Sequence, residues 1–387
     1  MESTIIVTPR GEERIYNGHF WVYRGDVADG RAEAGAVVRV AAPNGRFLAR
    51  AFYSDRSQIT LRILTRHDVP VDRGFWRSRL QQAIAFRDGL QIDASAYRLV
   101  HGEGDLIPSL IVDRYGDFIA VQALSQGTDR LMPELTTLLV ELAGPKGIIA
   151  RNDPRVRLLE GLEQNVSIAY GNIPDKVPVR EGKIEFDVDL RHGQKTGAFL
   201  DQRENRIAAA GYVSGRTLDC FSYAGGFALQ LAAHVTELTA LDISEDATAL
   251  LAQNAARNGL SNVQARTTNV FDELRTLERM GETFDAIVLD PPAFAKSKTA
   301  IAKALSGYKE INLRALKLLR PGGFLITCSC SYHVNEGMFA EVILDAALDA
   351  RADVSVVEKR MQARDHPVVL GMPETYYLKC FILRKLG

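Results

Sequence analysis

Hydrophobic and polar positions change their period twice along the chain. Through residues 1–70 the apolar positions come in short runs separated by turn pairs. The runs are Thr4–Thr8, Phe20–Tyr23, Ala36–Val40, Phe47–Tyr53 and Ile59–Leu64, with Asn17-Gly18 and Asn44-Gly45 between them. Runs of this kind predict strands, and five in so short a span predict a small barrel. From Gly74 the spacing is helical up to Gly89, which stands where a helix C-cap is expected. Strands are then predicted at Tyr97–Val100, Ser109–Asp113 and Phe118–Ala123, a helix at about Thr128–Leu142, and strands at Gly147–Ala150 and Val166–Tyr170. From Leu200 strand and helix alternate, the pattern of a parallel, doubly wound sheet. Its strands are predicted at Thr217–Asp219, Glu237–Asp242, Val263–Thr267, Asp285–Leu289, Gly323–Cys328 and Tyr376–Leu383. Three modules are therefore expected: a small β-barrel over 1–72, a central α+β domain over 73–190 and an α/β domain over 191–387.

Composition narrows the classes without choosing among them. The chain has 387 residues, 46% hydrophobic and 25% charged, as an ordinary globular protein does. Lys and Arg number 47 against 48 Asp and Glu, so any polyanionic partner must be held by a local patch rather than by the overall field. Residues 1–70 are the candidate for such a patch, with ten Arg, no Lys and eight acids. There the rings of His19, Phe20, Trp21 and Tyr23 offer stacking surfaces for bases; the competing reading is a barrel core with a solvated basic face. Four Cys are too few for a disulfide scaffold, and no run reaches the roughly 20 apolar residues of a membrane span. A cytoplasmic protein that does not enter membranes is expected.

The chemistry is concentrated at the ends of the predicted parallel strands. Ligands of such sheets sit beyond the carboxyl ends, where glycines let backbone approach them. The first strand ends in Asp219 and leads into Phe221-Ser-Tyr-Ala-Gly225-Gly226. The dinucleotide fingerprint is absent, since its first two glycine slots hold Phe221 and Tyr223, so a pyrophosphate site is disfavoured. Asp242 ends the next strand and Asp272 follows the third. Each acid alone could be a helix N-cap, but together they favour a nucleoside rich in donors and free of phosphate. The fourth strand ends in Asp290-Pro291-Pro292, whose prolines stiffen the backbone and present the acid. The fifth carries Cys328 and Cys330, which would face the same way if the strand continued through both. A lone Cys-x-Cys pair, even with His333 near it, lacks a metal-ligand set, so no metal is expected; a thiolate nucleophile beside a carboxylate is the sharper reading.

These residues resemble class I S-adenosylmethionine-dependent methyltransferases with a Rossmann-like sheet. More narrowly they resemble the bacterial large-subunit (23S) ribosomal RNA cytosine-5 methyltransferases with an N-terminal PUA domain, the RlmI-like family. The likeness is carried by Gly18-His-Phe-Trp-Val-Tyr-Arg24, Tyr97–Asp105, Ile111–Asp117, Gly193–Gly197, Phe199–Arg206 and above all Asp290-Pro-Pro-Ala-Phe-Ala-Lys-Ser-Lys298. It implies S-adenosyl-L-methionine as cofactor, held by Asp219, Tyr223, Gly225, Asp242, Asp272 and Asp290, with Gln202 and Arg203 as gate residues. Lys195 and Thr196 would touch cofactor or RNA, or form a hinge. Arg114 and Arg151 would track phosphates or be solvated. The partner implied is 23S ribosomal RNA or a large-subunit particle; a homodimer is compatible with the resemblance, though no residue demonstrates it.

In that family a thiolate adds to carbon 6 of cytosine, and Asp290 assists it. The pattern Ser329-Cys330-Ser331 assigns Cys330 as nucleophile, whereas aligning Thr327-Cys328-Ser329 with another cytosine-5 group would assign Cys328. Competing functions are a ribosomal RNA guanine-N methyltransferase, which shares Asp-Pro-Pro-x-Phe but needs no cysteine, and a non-catalytic RNA-binding or ribosome-assembly protein.

Overall fold

The computed structural model describes residues 3–295 and 297–386. The chain divides into two compact units, Met1–Glu181 with Asp187–Leu200 and Arg364–Thr375, and Gly182–Phe186 with Asp201–Ala363 and Tyr376–Gly387.

The first unit opens with β1 (Thr4–Val7), α1 (Pro9–Tyr16), β2 (Trp21–Tyr23), β3 (Val27–Asp29), β4 (Val37–Ala41), β5 (Phe47–Tyr53) and β6 (Ile59–Thr65). The strands form one sheet in the order β2-β6-β5-β4-β1-β3. Helix α1 is not expected from apolar spacing. Its signals are the Thr8 side chain accepting from the Gly11 N–H and Pro9 in the first turn, a start that needs no apolar stripe. The core of this sheet includes Ile5, Val22, Leu61 and, from far along the chain, Met372.

Beyond it follow α2 (Arg73–Gly89), β7 (Ala96–His101), β8 (Leu110–Tyr115), β9 (Phe118–Ala123), α3 (Gln126–Ala143), β10 (Gly147–Asn152), α4 (Val156–Leu159) and β11 (Asn165–Gly171). Strand order is β11-β10-β9-β8-β7. A capping box between Ser125 and Thr128 starts α3 two residues before the expected position. The boundary expected near residue 72 is not a gap in packing. Trp76 of α2 stacks on Phe52 of β5, their rings 5.5 Å apart, and both lie in one core cluster with Leu64 and Leu80. A buried ion pair of Arg62 with Glu160 (2.7 Å) spans the same junction.

After the hairpin of β12 (Val177–Glu181) and β13 (Ile184–Val188), the second unit holds a seven-stranded sheet. Its parallel strands are β14 (Arg216–Cys220), β15 (Glu237–Asp242), β16 (Val263–Thr267), β17 (Phe284–Leu289) and β18 (Leu319–Ser329). Two further strands, β19 (Val354–Arg360) and β20 (Lys379–Lys385), run antiparallel to their neighbours, and the order is β16-β15-β14-β17-β18-β20-β19. The edge strand β19 is absent from the predicted set, because its alternation of Val with Ser, Glu and Lys is short and half solvated.

The helices are α5 (Arg203–Ala209), α6 (Gly226–Leu231), α7 (Glu245–Arg257), α8 (Val270–Arg279), α9 (Ile301–Leu318) and α10 (Glu336–Ala350). Alternate sheet residues face two cores: Ile287, Leu289 and Leu325 pack with α8, α9 and α10, whereas Val288, Ile326 and Cys328 pack with α5, α6 and α7. The strand order reverses between β14 and β17, and crevices of doubly wound sheets open at such a reversal.

Candidate active site

The loop leaving β14 is held in an uncommon shape. Phe221 and Tyr223 both adopt positive φ, 64° and 48°, and Gly225 follows at 94°. Left-handed backbone costs about 1–3 kcal/mol at a non-glycine residue and persists only where the surroundings over-determine it. Here the next strand does so. The Tyr223 N–H donates to Asp242 Oδ2 at 2.8 Å, and the Ser222 N–H and hydroxyl both donate to the Leu241 carbonyl. The residues in place of fingerprint glycines thus take glycine-like backbone conformations.

Asp219 lies under this loop, fully buried. Its Oδ2 accepts from the Ala228 N–H at 3.0 Å, while Oδ1 is buried with no hydrogen-bond partner. Burial, then the Asp290 charge, holds its carboxyl well above the usual range, against the pull of the Ala228 N–H and Arg206. A buried carboxyl oxygen with no donor is suited to a cationic ligand group. Asp242 closes β15, its Oδ1 accepting from the Ser244 N–H at 2.9 Å, and beside it Ile243 is 70% exposed.

The third expected acid is placed elsewhere. Asp272 lies in the first turn of α8, its side chain 72% exposed and paired with Arg275. The residue near the end of β16 is Asn269, the N-cap of α8, whose Oδ1 accepts from the N–H groups of Phe271 and Asp272. The sequence offers an asparagine and an aspartate three residues apart; only the helix start decides which one faces the sheet edge.

Asp290 follows β17. Gln202 Nε2 donates to its Oδ1 at 2.8 Å, Gln202 Oε1 accepts from Asn205 at 2.6 Å, and Asn205 Oδ1 accepts from Arg360 at 3.1 Å. Gln202 and Arg203, expected as gate residues, are 3% and 2% exposed. Gln202 thereby braces Asp290 from behind. Lys296 of the Asp290–Lys298 string lies outside the described residues.

The two candidate cysteines part company at the end of β18. Cys328 is fully buried, opposite Cys380 in the register of β18 with β20, and burial drives its thiol well above the ordinary value. Strand β18 ends at Ser329, so the alternation that would have aligned the two sulfurs stops before Cys330. A hydroxyl network fixes this end. Tyr308 of α9 bonds to Ser329 at 3.0 Å and Ser331 at 2.9 Å, and Ser331 Oγ accepts from the Ala295 N–H. Burial pushes the Tyr308 hydroxyl up to about 12, so it stays a neutral hydrogen-bonding post. Cys330 is the one cysteine of the four that is not buried, its Sγ 3.8 Å from the Pro291 carbonyl. A partly exposed thiol thus sits beside the Asp-Pro-Pro turn.

Comparison with known proteins agrees with this architecture. A PUA-like domain model matches residues 5–66, and an S-adenosylmethionine-dependent methyltransferase model matches residues 167–371. The chain belongs to the S-adenosylmethionine-dependent methyltransferase family. Within this family it resembles, along its whole length, proteins named "Ribosomal RNA large subunit methyltransferase I". One from Tolumonas auensis is 40% identical, covering 100% of both chains, and one from Shigella boydii serotype 18 is 39% identical, covering 99% of both. The resemblance to the RlmI-like family is thereby borne out. In fold it is similar to SMU.776, a putative methyltransferase complexed with SAH, with TM-score 0.86 at 22% identity over 100% of both chains.

As a methyltransferase of this family the chain uses S-adenosyl-L-methionine, and the residues at this sheet edge are of a chemistry that fits it. The open oxygen of Asp219 is of the kind that suits an ammonium, and the exposed Ile243 beside Asp242 is of the kind that suits an apolar ring face.

The residues expected to meet RNA are mostly engaged within the first unit. Arg151 is buried, paired with Asp153 and donating to the carbonyls of Leu190 and Gly193. Arg114 donates to the Gly116 carbonyl. Thr196 is buried and donates to Asp113 at 2.6 Å, while Lys195 lies over the Phe199 ring. Phe20 belongs to the core, and Trp21 donates its indole N–H to Glu103 at 2.8 Å. Arg10 and Arg14 pair with Asp26, Arg46 with Glu12 and Arg50 with Asp68. Much of the basic patch legible in the sequence is therefore compensated internally.

Proposed function

We propose that this protein methylates carbon 5 of a cytosine in 23S ribosomal RNA, with Cys330 as nucleophile and Asp290 as the group that binds the base. The substrate class follows the printed name of its full-length relatives. The observation that carries the reading is the half-buried sulfur of Cys330 beside the Asp290-Pro-Pro turn, with the other three cysteines buried.

Carbon 5 of cytosine is a poor nucleophile. When the Cys330 thiolate bonds to carbon 6, the electron pair of the 5,6 double bond moves into the ring and carbon 5 becomes enamine-like. Asp290, braced by Gln202, is suited in its protonated form to donate to N3, where negative charge develops, while its other oxygen accepts from the exocyclic amine. S-adenosyl-L-methionine supplies the electrophilic methyl group. Loss of the carbon-5 proton to a base then restores the double bond as the sulfur–carbon bond breaks, returning the thiolate. The target base must leave its stack to reach the sulfur. Asp219, Tyr223, Gly225 and Asp242 would hold the cofactor, with Asn269 in the position first expected of Asp272. The division into an RNA-binding 1–72, a central 73–190 and a catalytic 191–387 module, a cytoplasmic location and a homodimer belong to the same proposal.

The test is methyl transfer by the full chain, with labelled methyl donor and 23S RNA from cells lacking the protein, followed by nucleoside digestion and mass analysis. 5-Methylcytidine is expected, lost in Cys330→Ser and kept in Cys328→Ser. Full activity of Cys330→Ser, or a methylated guanosine as product, would overturn the reading.

A further inference from the structure

Lys379 occupies a place where a lysine is hard to keep. It lies in β20 between Leu378 and Cys380, is 1% exposed, and stands opposite Ser329 in the register of β18. Its ammonium donates to two carbonyls, that of Ser331 at 2.8 Å and that of Tyr377 at 2.9 Å. Neither is an anion, and among the described residues no carboxylate pairs with it. Removing an ammonium from water costs several kcal/mol unless a negative charge answers it, and burial pulls the Lys379 pKa down to about 8. Two acids oppose that fall, Cys330 first and Glu336 second. Glu336 is already engaged by Lys359 at 2.8 Å and by the Tyr376 hydroxyl at 2.9 Å. Cys330, the stronger of the two, directly precedes the residue whose carbonyl Lys379 holds.

We propose that Lys379 is the positioning residue that holds the sulfur of Cys330 as a thiolate, ready to add to the pyrimidine. This deepens, and rests on, the assignment of Cys330 as nucleophile. The coupling of two charges is reciprocal: if the thiolate supports the ammonium, the ammonium supports the thiolate by the same free energy. Geometry makes the coupling steady. Two of the three ammonium protons are committed to carbonyls, one of them on the residue that follows Cys330, so the charge is fixed at the end of β18 that carries the thiol. Asp290 stands one residue before Pro291, whose carbonyl accepts only from the protonated S–H. His333 lies three residues on, its ring 5.0 Å from that of Tyr332. The buried ammonium, fixed on the carbonyl of the residue after the thiol, is the cation that geometry offers it.

The experiment is the pH dependence of Cys330 alkylation by iodoacetamide in the full chain, followed by peptide mass mapping, since the other three cysteines are buried. Wild type should label with a midpoint below the ordinary thiol value of about 8.5. In Lys379→Met the midpoint should rise by about one unit or more, making labelling at pH 7 roughly tenfold slower. Lys379→Arg should stay within about threefold of wild type, since it keeps the charge. Methyl transfer by Lys379→Met should recover as pH rises toward 9, with KM for RNA unchanged. Should that variant not fold, Lys379→Gln, which keeps a donor for the Ser331 carbonyl without the charge, carries the same expectation. Labelling of either neutral variant at wild-type rate and midpoint, even with a lowered melting temperature, would reduce Lys379 to a structural tether and overturn the inference. Methyl transfer surviving in Cys330→Ser would instead defeat the nucleophile assignment, and the labelling result would stand apart from it.

Discussion

Replacing Asp219 by asparagine separates two consequences of one buried carboxyl. In the free protein its single donor is the Ala228 N–H, and burial with the neighbouring Asp290 and Asp242 charges raises its pKa. An acid whose folded pKa exceeds its unfolded pKa opposes folding when ionised. The opposition is absent below the unfolded value, grows as pH climbs from there to the folded value, and is constant above it. Each unit of elevation is worth about 1.4 kcal/mol. The amide of the Asp219→Asn variant would carry no such dependence, so the melting-temperature difference between variant and wild type should grow in the variant's favour from pH 4 to pH 8. Cofactor affinity should move the other way. A hydrogen bond to a charged group contributes about 1.5–3 kcal/mol, so losing the carboxylate opposite the ammonium should weaken Kd for S-adenosylhomocysteine roughly 10- to 150-fold. Calorimetric titration with that ligand and melting curves across pH read both effects. Affinity within about twofold of wild type, or a variant whose relative stability falls with rising pH, would refute the placement of Asp219 in the cofactor crevice.

Two further outcomes test the packing on which the site depends. Cys328→Ser buries a hydroxyl among Ile326, Ala228 and Cys380, and should cost about 1–3 kcal/mol. At about 2–4 °C per kcal/mol for a unit of this size, a fall of several degrees in differential scanning calorimetry is expected, with methyl transfer intact at low temperature. Glu160→Ala strands the buried guanidinium of Arg62. Breaking such a pair costs about 3–5 kcal/mol, so the melting transition of the first unit should drop by roughly 6–20 °C, and an unchanged transition would show that water reaches the pair.

Much of this molecule is legible in one dimension. Buried parallel strands read as apolar runs, the amphipathic helices between them read as a 3.6-residue period, and both follow from local burial. Asp219, Asp242 and Asp290-Pro-Pro stand at strand ends, where the doubly wound pattern predicts them, because strand ends are set locally too. What the tertiary structure decided are matters of contact between distant segments. Whether Asn269 or Asp272 meets the sheet edge depends on where α8 begins. Cys330 escapes burial because Tyr308, twenty-two residues earlier, anchors Ser329 and Ser331 and ends β18 between them. Met372 joins the core of the N-terminal sheet although it lies among the last residues of the chain. Lys379 reads locally as one charge in an apolar strand, and only the antiparallel register of β20 on β18 brings its ammonium to the Ser331 carbonyl. Period and propensity record what each residue needs from its neighbours in sequence; which distant group satisfies a buried charge is settled when the sheet closes.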